Sequence, residues 1–173
     1  MAGTLLDIQH VTKRFGGFYA LSGVSLQVHE GERFGLIGPN GSGKTTLINC
    51  ISGTLRNDGG RILFQGRDVA TIPAHQRTRL GIARSFQIPK PFTSMTVLEN
   101  LSIPLAYAAH AHSHRGDIAS EAMGILGRIG LETKAQVSSA ALSLIELRQL
   151  ELARAIAANP KLLISDEAMA GLS

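Results

Sequence analysis

Gly38-Pro39-Asn40-Gly41-Ser42-Gly43-Lys44-Thr45 decides how this sequence folds and what it binds. The stretch fits the spacing GxxxxGK(S/T) at every position. Before it stands a short apolar run, Phe34–Ile37, expected as a strand that leads directly into Gly38. After it, Leu47, Ile48 and Ile51 recur on one helical face, with Gly53 as the stop signal. Such a strand–loop–helix unit suits a polyphosphate. Glycines let main-chain amides approach phosphate oxygens without Cβ clashes, and the helix N-terminus adds a partial positive charge. Lys44 is expected to reach the β- and γ-phosphates of ATP, and the Thr45 hydroxyl to ligate Mg²⁺. Pro39, Asn40 and Ser42 belong to the same nucleotide-contacting set, with Thr46 just beyond the loop.

A second site element closes the chain. Lys161-Leu162-Leu163-Ile164-Ser165 reads as a buried parallel strand that delivers Asp166-Glu167 at its C-terminal end. A carboxylate there can hold the Mg²⁺ shell, the role expected of Asp166. Glu167 can orient or deprotonate an attacking water. Ahead of this strand, Ser143-Leu144-Ile145-Glu146 has the Ser-x-x-Glu capping-box pattern, opening a helix to about Ala158 with Leu147, Leu150, Ala153 and Ala157 in one stripe.

Between these elements the chain changes character. Residues 4–34 read as short strands and turns, with Leu21–Val28 alternating as a half-buried strand does, and Arg61–Gln65 alternates again after the turn Asn57-Asp58-Gly59-Gly60. From Thr96 to about Ala140 the spacing is helical (Val97, Leu98, Leu101; Ala122, Ile125, Leu126, Ile129). The expected fold class is therefore α/β: a nucleoside-triphosphatase core with an antiparallel β subdomain at 1–87 and 146–173, and a helical subdomain at 88–145.

Composition narrows the function classes. The 173 residues are 44% apolar and 17% charged, the balance of a globular domain. No stretch nears the roughly 18 apolar residues of a membrane span, and the N-terminus lacks a basic-then-apolar leader, so a cytosolic protein is expected. Cys50 is the single cysteine, which excludes an intrachain disulfide and suits a small apolar filler on a helix. The net charge of +4 is dispersed without a basic run, so no nucleic-acid partner is expected. His110, His112 and His114 alternate in a polar segment, read as a solvated loop rather than a metal site.

The loop at Gly38–Thr45, the segment Ser85-Phe86-Gln87, Leu142-Ser143 opening a helix, and the Asp166-Glu167 strand stand in the order found in ABC-transporter ATPase subunits, which the whole chain resembles. The run from Ala83 to Asn100 is most similar to ATPases of branched-chain amino-acid importers. The resemblance implies that Phe15 stacks on adenine and that Gln87 contacts Mg²⁺ or the catalytic water and couples to a membrane subunit. It implies that Ser143 faces the γ-phosphate bound by a second ATPase subunit. It also implies transmembrane permease partners and a peripheral position on the inner face of the cell membrane.

Two departures accompany it. The family's Leu-Ser-Gly-Gly-Gln is here Leu142-Ser143-Leu144-Ile145-Glu146, which sets Cβ atoms where glycines allow close approach to phosphate. All six histidines precede Asp166, whereas the family's switch histidine follows it, so a C-terminally truncated subunit is expected. ATP-driven amino-acid import is the leading reading. The alternatives are a nucleotide-binding fragment without turnover and the ATPase of a lipid or polysaccharide exporter.

Overall fold

Leu5, Leu6, Ile8 and Val11 are buried along strand β1 (Thr4–Phe15), which is the centre of the first half of the molecule. The computed structural model describes residues 3–86, 88–107 and 117–165. These gather into two compact units, Met1–Arg77 and Thr78–Ser173.

In the first unit β1 pairs antiparallel with β2 (Phe18–His29) across a tight connection at Gly16-Gly17, with Phe15 opposite Phe18 and Thr4 opposite His29. On its other edge β1 takes β3 (Gly59–Phe64), with Ile8 opposite Ile62, and β3 takes the two-residue β4 (Arg67–Asp68). The sheet order is β2-β1-β3-β4. Its buried side chains include Leu6 and Ile8 on β1 and Ile62 and Phe64 on β3, alternate positions that period-two spacing puts on one face, and Val11 beyond the pairing irregularity that follows Ile8. Helix α1 (Lys44–Ser52) buries Leu47, Ile48, Cys50 and Ile51, and Gly53 ends it in the left-handed conformation at φ 83°. Helix α2 (Ala74–Leu80) follows; its buried residue is Arg77.

The second unit joins a short parallel pair to a helical core. Strands β5 (Ile82–Ser85) and β6 (Leu162–Ser165) pair in parallel from Ile82 opposite Leu162 to Ser85 opposite Ser165. Helices α3 (Val97–Tyr107), α4 (Ile118–Ile129) and α5 (Leu144–Ala157) enclose Val97, Leu101, Leu105, Ile125, Leu126 and Leu150. Each helix start is chemically marked. Thr96 and Glu99 exchange bonds at the head of α3, Asp117 accepts from the Ala119 amide at α4, and Ser143 caps α5. The fully buried Asn100 ties the preceding loop to α3: its Nδ2 donates to the Phe92 and Thr96 carbonyls, and its Oδ1 accepts from the Phe92 amide.

Two strand expectations need correction. Phe34–Ile37 belongs to no strand ladder among the described residues, and Ile37 is 95% exposed. A strand exists only through a neighbour's hydrogen bonds, and none of the described strands pairs with this run. The run Leu162–Ser165 is indeed a parallel strand but is not buried. Leu163 and Ser165 are exposed, since among the described residues β6 has β5 as its sole partner.

Candidate phosphate-binding site

The site starts with what the loop backbone is made to do. Gly43 is the N-cap of α1 at φ 91°, a region that L side chains rarely enter. A Cβ on Gly43 would lie 2.4 Å from the Ala20 carbonyl oxygen and 3.1 Å from Leu21 Cδ2, so β2 forms a floor that admits only glycine. At the other end of the loop, a Cβ on Gly38 would lie 2.7 Å from Ser42 Oγ. The Ser42 amide donates to the Pro39 carbonyl and closes the turn.

Helix α1 is left open at its head. Among the described residues no side chain caps it, and its first turn holds no acidic residue. The first main-chain bond into the cap is from the Leu47 amide to the Gly43 carbonyl, at 2.9 Å. The amides ahead of Leu47 are the donors a helix normally gives to a cap or to an anion. Lys44 Nζ donates to the Gly38 carbonyl at 2.7 Å and the Pro39 carbonyl at 2.9 Å, so the ammonium lies across the loop. Asn40, Gly41, Ser42 and Thr45 are exposed on the surface, with Gly43, Lys44 and Thr46 half-buried beneath. A glycine cradle, an uncapped helix and an ammonium within one loop fit a polyphosphate.

Other expected site residues fall as follows. Phe15 is half exposed at the end of the β1–β2 hairpin, with Lys13 Nζ 5.6 Å from its ring centroid. It is an available face rather than a core side chain. Phe18 and Tyr19 are exposed beside it, and the Arg14 guanidinium lies 5.0 Å from the Tyr19 ring. In the second unit, Ser143 Oγ accepts from the Glu146 amide while Glu146 Oε2 accepts from the Ser143 amide, a complete capping box. Glu146 also pairs with Lys134. These bonds hold its carboxyl down to about 2, with the Lys134 bond the largest cause. Leu144 and Ile145, where the family's glycines would stand, are both more than half exposed. Gln87, Asp166, Glu167 and the histidines at 110, 112 and 114 lie outside the described residues. Among the described residues no group of three or more His, Cys, Asp or Glu side chains could hold a metal.

Three features escaped the sequence reading. Asp58 anchors the hairpin by accepting from Lys13 Nζ at 2.8 Å and the Arg14 amide at 2.7 Å; these bonds lower its carboxyl pKa. The segment before α3 is held to α5, with Arg154 donating to the Lys90 carbonyl at 2.7 Å and to Glu151 at 3.1 Å. Arg77, completely buried, is the third. Asp58 lies in a turn that composition marks only as a turn, and α2 lacks the apolar period that would have revealed its inward face.

The profile of the ABC transporter family matches residues 21–170. The chain belongs to the ABC transporter family, as one of its ATP-binding subunits. It is 43% identical to a probable branched-chain amino acid transport ATP-binding protein LivG of Archaeoglobus fulgidus, over 98% of this chain and 69% of that protein. It is 35% identical to the high-affinity branched-chain amino acid transport ATP-binding protein BraF of Pseudomonas aeruginosa, over 100% of this chain and 72% of that one. Among solved structures it superposes on MJ1267, an ATP-binding cassette of an ABC transporter, with a TM-score of 0.86 at 35% identity, covering 99% of this chain and 72% of the other. A dimeric post-hydrolysis cassette, MJ0796 bound to ADP and Pi, matches at TM-score 0.81 and 27% identity, over 95% and 74% of the two chains. The α/β fold and the ATP-hydrolase class expected from the sequence stand on these likenesses together.

Proposed function

We propose that this chain powers import of branched-chain or related amino acids, working as a pair of ATPase subunits on the inner face of the membrane beneath transmembrane permease subunits. The observation that carries the solute class is the 43% identity to a branched-chain amino acid transport ATP-binding protein along 98% of the chain. Among the described residues no helix is long and apolar enough to cross a membrane, which supports a peripheral position beside separate permease chains.

In this reading the amides of Gly41–Thr46 and Lys44 hold the phosphate oxygens, and Phe15 offers its exposed face to adenine. Pro39 and Asn40 shape the loop's turn. Mg²⁺, when bound, neutralises charge between the β- and γ-phosphates, with Thr45, Gln87 and Asp166 as its protein partners. Glu167 accepts a proton from the attacking water, and Gln87 reports the state of the site to the permease. Residues 1–87 and 146–173 form the ATPase core, with 88–145 as the helical subdomain.

A second reading, nucleotide binding with little turnover, is favoured by one observation. The head of α5 already carries the Glu146 carboxylate and two exposed apolar side chains. Ser143 then makes a weakened contact with the partner's nucleotide. Comparing ATP binding with phosphate release separates the two readings.

The transport reading is tested by uptake of radiolabelled leucine, isoleucine and valine in native membrane vesicles, with and without Lys44→Ala. Loss of uptake of these solutes is the expected result. Unchanged leucine, isoleucine and valine uptake, with loss of a different solute, overturns the proposed class.

A further inference from the structure

Among the described residues Arg77 is the largest fully buried side chain, 1% exposed, and there its hydrogen-bond acceptors are main-chain carbonyls. Its Nη1 donates to Cys50 at 2.6 Å and to Ile51 at 2.8 Å, the carbonyls of the last turn of α1. Nε donates to Ile72 at 2.7 Å and Nη2 to Ala70 at 3.2 Å, both in the connection between β4 and α2. Burial pulls the guanidinium pKa downward, yet an arginine stays charged. Burying such a charge is costly unless it is fully hydrogen-bonded, and an apolar side chain would fill the same space but leave these four carbonyls without its donors. The guanidinium must therefore supply something packing cannot.

What it supplies is a hold on α1. This helix has nine residues, fewer than an isolated helix needs for stability in water. It carries no basic residue in its last turn and no side-chain cap at its first. A fixed cation at the C-terminal end offsets the negative end of the helix dipole and satisfies carbonyls that otherwise lack partners. The planar fork sets the helix's rotation and axial position against the β4–α2 connection, which a single ammonium cannot do. Gly53 is shaped to this contact: a Cβ there would lie 2.8 Å from Arg77 Nε.

We propose that Arg77 is a positioning residue for the phosphate loop, clamping the C-terminal end of α1 so that the amides at its N-terminal end keep the spacing a polyphosphate requires. The inference rests on the reading of Gly38–Thr45 as the phosphate site. It assigns the orientation of that site to a side chain at the far end of the helix, about 13 Å away by helix rise.

The test measures ATP dissociation constants for the full chain and for Arg77→Met, Arg77→Lys and Val69→Ala, with circular dichroism and amide exchange on each. Val69 is fully buried in the same unit and serves as a control for general loosening. The expected result is an affinity loss of roughly five- to tenfold or more in Arg77→Met, at a temperature where its fold is native. Arg77→Lys is expected to fall between it and the unmodified chain, while Val69→Ala melts earlier and binds normally. Amides of Leu47–Ile51 should exchange faster in both Arg77 variants while those of β1 do not. If Arg77→Met fails to fold, Arg77→Lys decides. Unchanged affinity in a folded Arg77 variant overturns the proposal, and so does an equal affinity loss in Val69→Ala. Should Lys44→Ala bind ATP as well as the unmodified chain, the phosphate-site reading itself fails, whatever the Arg77 variants show.

Discussion

Helices α1 and α5 begin in opposite ways. The head of α1 has a glycine at φ 91° for its cap, no capping side chain and no acid in its first turn. The head of α5 has a serine cap, a reciprocal glutamate and a lysine paired with that glutamate. Every α-helix starts with amide donors that lack internal partners. In α5 the Ser143 hydroxyl and the Glu146 carboxylate meet that need; in α1 no described side chain does. The two ends also differ in their surroundings. Gly43 sits on the β2 main chain with no room for a Cβ, whereas Leu144 and Ile145 project into solvent. In the proposed reading the open helix start over a tight floor receives the nucleotide, while the closed one is held by the protein's own side chains.

The largest expected effect comes from filling the floor of the open end. Gly43→Ala must place a Cβ against the Ala20 carbonyl at positive φ, costing about 2–4 kcal/mol of stability. Nucleotide binding should vanish with it. Urea unfolding and an ATP titration check both, and a stable, ATP-binding Gly43→Ala would mean that the loop is not held as described. A smaller effect is expected at the closed end. Ser143→Ala removes a cap and should cost about 1 kcal/mol by urea midpoint, with ATP affinity unchanged in the isolated chain. If Ser143→Ala weakens ATP binding there, the two helix heads are not as different as they look.

Acid sharpens the contrast further. Glu146 has its carboxyl lowered from 4.5 to about 2 by Lys134 and the Ser143 bonds. A carboxyl depressed by folding adds stability above its unfolded pKa and loses it as pH falls through the folded value. The α5 joint should therefore weaken between about pH 4.5 and 2, and Glu146→Gln should flatten that part of the stability–pH curve. Chemical-shift titration of the Ser143 and Glu146 amides follows it directly; a Glu146 midpoint near 4.5 would contradict the bonding seen. The smallest effect is expected from Leu144→Ser, an exposed change that should stay within about 0.5 kcal/mol.

What the sequence revealed follows from the same physics. The loop was legible because GxxxxGK(S/T) encodes main-chain geometry in residue identity, and Gly43 takes the positive φ that such a glycine permits. The capping box at Ser143 and the helical stripes of α3, α4 and α5 were legible because caps and periodicity are local. Phe34–Ile37 was misjudged because pairing depends on a neighbouring strand, which the run's own residues do not encode. Helix α2 went unseen because its inward position holds a charge: Ala74-His75-Gln76-Arg77-Thr78-Arg79-Leu80 shows no apolar period, and the residue at its core is Arg77. Hydrophobic patterning is blind to a buried guanidinium held by carbonyls. The roles assigned to Gln87, Asp166 and Glu167 rest on their place in the sequence, since all three lie outside the described residues.

The central claim is that Gly38–Thr45 binds ATP through its amides and Lys44. Isothermal titration of ATP into the unmodified chain and into Lys44→Ala tests it most directly. The account predicts saturable binding by the first and none detectable in the second, with matching circular dichroism; micromolar affinity retained in a folded Lys44→Ala would contradict it.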